Sequence, residues 1–77
     1  MWVRSQNKEQ LIKCSSFSIV RNFGGKKRNA IVGTVSSVSW WGKEVVLGFY
    51  DTKEIAINEL TQLQTELVNK AELYEMN

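Results

Sequence analysis

The chain has 77 residues, 43% of them hydrophobic and 23% charged, with ten Lys/Arg against eight Asp/Glu, no His, no Pro and one Cys. One cysteine rules out an intramolecular disulfide, and without His it builds no zinc site. The missing imidazole and the single Asp also exclude the usual triads and general bases, so the chain reads as a binding module and not an enzyme.

The apolar content is ordinary for one globular domain, 1–77, with a sheet over 1–50 and a helix over 51–75. A domain this small buries only about 60–65% of its unfolded surface. Oligomerisation is the remaining means of reinforcing so small a core. Arg4, Lys8 and Glu9 interrupt the first ten residues, so no signal peptide is expected, and no stretch of about 18 apolar residues offers a membrane span. With its lone thiol, the chain is expected to be cytoplasmic.

Met1–Ser5 is short and β-prone, and Gln6–Gln10 is its polar turn. Leu11–Phe23 reads as a long strand with a bend or bulge near Ser15-Ser16. Gly24-Gly25 marks a turn. Asn29–Ser37 is the next strand, Trp40–Lys43 closes the following turn, and Glu44–Tyr50 is the most apolar strand. Short glycine-punctuated connections favour an antiparallel meander. Asp51 is the expected N-cap, with Glu54 at capping-box spacing. Ala56, Leu60, Leu63, Leu67, Ala71 and Tyr74 then recur at helical period. The expected fold is α+β: an antiparallel sheet of about four strands with one long C-terminal amphipathic helix on one face. A helix of that length would overhang its sheet. The overhang and the second sheet face make Val46, Tyr50, Leu67, Ala71 and Tyr74 the expected surface of a homo-oligomer.

Charge is unevenly placed. Residues 1–50 carry eight Lys/Arg against Glu9 and Glu44, whereas 51–77 carry Lys53 and Lys70 against Asp51 and five Glu. Such a split suits an anionic partner, or a protein whose own parts attract. The most suggestive segment is Gly24-Gly25-Lys26-Lys27-Arg28, where exposed amides and three cations would suit phosphate. It lacks P-loop spacing and a following helix, and it equally suits a solvated hairpin tip. Trp40 and Trp41, beside Lys43, alternate in direction on a strand, so at most one enters the core by alternation. The other covers a sheet edge, meets a protein partner or stacks on a base. In a meander the basic turn and the Trp pair lie at opposite ends, which weakens a continuous nucleic-acid track within one copy.

Met1-Trp2-Val3-Arg4-Ser5-Gln6 resembles the opening, Met-Trp-[Ile/Val]-Arg-[Ser/Thr]-Gln, of small uncharacterised proteins of phages and mobile elements in Gram-positive bacteria. Val46–Glu54, with Ala56 after it, resembles their strand-to-helix junction. The resemblance covers the first six residues and roughly 46–63, and it assigns no catalytic, binding or metal residue and no cofactor. Small phage proteins without enzymatic residues are often inhibitors or sponges for host defence, by an association and not a mechanism. The resemblance thus implies a non-catalytic antagonist of a host defence system. Its partner would be a host protein, or a phosphate-bearing nucleotide-like signal held by Lys26, Lys27 and Arg28 with Trp40 or Trp41. A small nucleic-acid-binding regulator is the alternative.

Overall fold

The computed structural model describes residues 1–21, 28–35 and 43–77. Among these residues, six strands and one helix follow in chain order: β1 (Trp2–Arg4), β2 (Leu11–Lys13), β3 (Ser16–Val20), β4 (Asn29–Val35), β5 (Lys43–Tyr50), α1 (Lys53–Val68) and β6 (Leu73–Glu75). The class is α+β, but the strands do not form one four-stranded meander. They divide into two three-stranded sheets, ordered β2-β1-β6 and β3-β4-β5.

The division is made at two adjacent residues. The Cys14 amide donates to the Met1 carbonyl in the first sheet, at 3.1 Å, and the Ser15 amide donates to Thr34 in the second, at 2.8 Å. The bend expected near Ser15-Ser16 is therefore where one sheet hands the chain to the other. Cys14 is buried there against β4. A Cβ on Gly33 would come within 2.5 Å of the Cys14 sulfur, so only glycine lets the two sheets approach this closely.

In the first sheet β1 pairs antiparallel with β2 and parallel with β6. The β1–β2 turn is held by Ser5, whose amide donates to the Gln10 carbonyl and whose hydroxyl accepts from the Gln10 amide. In the second sheet β3, β4 and β5 are antiparallel, as the glycine-marked connections predict. Its register slips between Ile31 and Val32: Ile31 opposes Gly48 while Val32 opposes Val46. Leu47 is the extra residue of this bulge, and its carbonyl accepts the Gln6 amide at 2.7 Å. The bulge thereby ties the second sheet to the β1–β2 turn.

The helix packs across β3, β4 and β5. Its N-cap is Thr52, whose hydroxyl accepts from the Ile55 amide at 3.1 Å, one residue later than the expected Asp51. It ends at Val68 instead of running to residue 75. Lys70 adopts φ 60°, its amide donates to Leu67, and the Ala71 amide reaches back to Glu66. This is a Schellman-type stop, made without the usual glycine. Sixteen residues span about 24 Å, and the eight residues of β5 span about 26 Å, so the expected overhang is absent. Ala71 and Tyr74 leave the helical stripe, and Tyr74 points inward from β6. The core gathers Val3, Cys14, Ile31, Leu47, Tyr50, Ala56, Leu63, Tyr74 and Met76, between the two sheets and the helix.

Candidate functional site

Lys26, Lys27, Trp40 and Trp41 lie outside the described residues. Lys43 opens β5 opposite Val35, whereas Arg28 directly precedes Asn29, which opposes Tyr50 at the other end of the same strand pair. The structure therefore does not bring Arg28 and Lys43 together. The Arg28 guanidinium lies 5.9 Å from the centre of the Phe49 ring, a cation–π distance. Part of its charge is thus directed onto the protein's own surface.

The five residues expected at an oligomer surface separate. Leu67 is exposed, and Val46 and Ala71 are half-buried. Tyr50 and Tyr74 are core residues, buried within a single copy, and offer no surface to another. Their hydroxyls instead serve a polar cluster around Glu59, a residue of the helix. Glu59 is 4% exposed. Its carboxylate accepts from the Tyr74 hydroxyl, the Asn77 amide and Asn77 Nδ2, each at 2.9 Å. A main-chain oxygen of Asn77 in turn accepts from the Tyr50 hydroxyl at 3.0 Å and from Gln6 Nε2 at 3.1 Å. Burial, and then the neighbouring Glu59 charge, pushes the Tyr50 hydroxyl well above the ordinary phenol range. Tyr74 is raised in the same way, by burial first and by its hydrogen bond to Glu59 second. Both phenols therefore remain neutral donors, and the cluster fastens residues 74–77 onto the helix.

Cys14 is a core thiol whose ionisation burial pushes upward, the opposite of what a nucleophile needs. Among the described residues, no group of three or more His, Cys, Asp or Glu is placed to hold a metal, and no helix is long and apolar enough to cross a membrane.

The outer face of the first sheet is the surface that sequence reasoning missed. Alternation turns Val3 and Tyr74 inward and leaves two rows outside: Lys13, Trp2 and Leu73 in one, Leu11, Arg4 and Glu75 in the other. Trp2 is 45% exposed, Leu11 58% and Leu73 57%. Arg4 Nη1 meets Glu75 Oε1 at 3.3 Å, and Arg4 Nε donates to the Lys8 carbonyl at 3.3 Å. The pair lies between apolar neighbours and is oriented from both sides. The period-two pattern of Trp2-Val3-Arg4 was a legible signal for Trp2 and Arg4, a third of this face. Leu73 and Glu75 were hidden because their segment carries a helical spacing.

No protein-family model, curated protein or solved structure matches the chain.

Proposed function

We propose that this chain is a small non-catalytic binding protein that acts by occluding a protein partner. In the setting its opening hexapeptide suggests, it is a phage-type antagonist of a host defence system, working in the bacterial cytoplasm. The observation that carries this proposal is the outer face of the first sheet. Three large apolar side chains, one of them Trp, stand exposed on paired strands around an oriented Arg. Trp and Arg are the residue types on which protein interfaces concentrate their binding energy, and strand-held side chains lose little freedom on binding. Arg28, directed onto Phe49, weighs against a phosphate-sequestering role for that residue.

The test is native mass spectrometry of tagged protein purified from a bacterial host, followed by binding measurements with the identified partner. A host protein should co-purify at fixed stoichiometry. Trp2→Ala should weaken its binding at least tenfold, about 1.4 kcal/mol, with the far-ultraviolet spectrum unchanged. Retained nucleotide or nucleic acid with no host protein would overturn the proposal in favour of a sponge or a nucleic-acid regulator. So would a partner indifferent to Trp2→Ala and to Leu73→Ser.

A further inference from the structure

The strand edges are unequally protected. β4 and β1 are paired on both sides. The outer edge of β5 is met by Gln6, whose amide donates to Leu47 and whose side chain bonds both the amide and the carbonyl of Phe49. The outer edges of β2 and β6 are three residues long and carry Lys13 and Glu75. β3 differs from all of these. It is a five-residue edge of sequence Ser-Phe-Ser-Ile-Val, without charge or proline, and no main-chain hydrogen bond reaches its outer side among the described residues. Alternate residues of such an edge direct both N–H and C=O outward, and natural proteins ordinarily blunt it with Lys, Pro or a covering segment.

Beside this edge runs an open groove of about 270 Å³, floored by Phe17, Leu60, Leu63 and Leu67 and bordered by Ser16 and Gln64. None of its lining residues is charged, although the chain carries eighteen charged side chains elsewhere. Two copies can therefore bring this region together without burying like charges, the usual obstacle to a symmetric contact.

From the open edge and the uncharged groove together, we infer that two copies of this chain associate through β3, edge to edge and antiparallel about a two-fold axis at Ser18. The strand is self-complementary in that register. Ser18 faces the second copy's Ser18, Phe17 faces the second copy's Ile19, and Ser16 faces the second copy's Val20. Phe17 and Ile19 are half-buried residues packed against the core cluster, so the apolar cross-strand pairs continue the core across the axis. A two-fold axis perpendicular to the sheet joins the two β3-β4-β5 sheets into six strands and sets both helices on one face. The exposed Leu67 and the half-buried Leu60 then flank the junction from each side. The contact is isologous and closes at two, and it satisfies the outward main-chain groups of β3. This surface is separate from the Trp2 face, so either can fail without the other.

Sedimentation of the purified chain over a wide concentration range should give a reversible monomer–dimer equilibrium. Ser18→Lys puts two like charges on the axis and should leave only monomer, as should Ser18→Asp. Mixing the two variants should restore a heterodimer, because opposite charges then face each other. Under mild oxidation Ser18→Cys should cross-link rapidly, since directly opposed antiparallel residues have Cα atoms about 4.5–5.5 Å apart, within disulfide range. Glu75→Cys should not cross-link. A wild-type chain that is monomeric throughout would overturn the inference. Dimers that persist in Ser18→Lys, or cross-linking at Glu75 in place of Ser18, would do the same.

Discussion

Glu59, which forms no ion pair among the described residues, shows how a charged side chain can be structural. A carboxylate removed from water is costly unless hydrogen bonds replace its hydration. Here three donors do so, two of them from Asn77 and one from Tyr74. The position was partly legible: Glu59 falls three residues after Ala56 and four before Leu63, on the buried stripe. What could not be read was its set of partners, which lie fifteen and eighteen residues further along the chain. The cluster makes stability depend on alkaline pH. The phenol of Tyr74 ionises near 10 in the unfolded chain and higher in the folded one. Below about pH 10 its contribution is fully present. Above that the unfolded chain releases the proton first, so stability falls as pH rises toward the folded-state value. Tyr74→Phe should lower the unfolding free energy at neutral pH by about 1.5–3 kcal/mol, the range for a hydrogen bond to a charged group. It should also flatten the alkaline decline. Urea midpoints measured from neutral pH to about pH 11 check both effects, and parallel slopes for variant and wild type would refute the assignment.

The helix illustrates how a local pattern can be continuous while the backbone is not. Leu67, Ala71 and Tyr74 keep steps of four and three, and no Gly or Pro stands between them. The helix nevertheless stops at Val68, because pairing β6 with β1 buries Tyr74 and closes the first sheet. Lys70 takes the left-handed conformation that this reversal requires. That conformation costs a side-chain-bearing residue about 1–2 kcal/mol, and glycine avoids the cost at some expense in unfolded-state entropy. Lys70→Gly is therefore expected to stabilise the fold by about 0.5–1 kcal/mol, read from thermal or urea unfolding. A destabilised variant would mean that the lysine side chain contributes more than its backbone costs. The strands tell a similar story. The break at Ser15-Ser16 and the antiparallel run from β3 to β5 were legible from length and glycine placement. The transfer of Leu11–Lys13 to a different sheet was not, since nothing local distinguishes a bend within one sheet from a crossing between two.

Across the whole molecule, Gln6 and Asn77 join parts that are distant in sequence. The Gln6 side chain bonds the amide and carbonyl of Phe49 and a main-chain oxygen of Asn77, connecting the β1–β2 turn, β5 and the last residue. Gly48 leaves room for it: a Cβ there would stand 3.0 Å from Gln6 Cβ and Oε1 and 2.9 Å from the Tyr50 hydroxyl. Gln6→Ala removes all three bonds and should cost about 1–2 kcal/mol. Because the lost contacts connect the two sheets, hydrogen exchange should quicken in β5 and β6 together while β3 is little changed. Uniform acceleration throughout would show that Gln6 acts on global stability alone.

By itself the sequence determined the class, the strand-rich first part, the start of the helix to within a residue and the exclusion of a disulfide. Each of these depends on composition or on contacts between near neighbours. It also singled out Arg28 and Lys43 by their chemistry, together with Lys26, Lys27, Trp40 and Trp41 outside the described residues. Only the tertiary structure decided that there are two sheets, that Tyr50, Glu59 and Tyr74 are interior, and that Trp2, Leu11 and Leu73 share an outer face. The burial of Glu59 depends on contacts fifteen and eighteen positions away, and the first sheet with its outer face on pairing residues some seventy positions apart. Register across such a distance is selected by what the assembled core buries, and no short-range pattern records it.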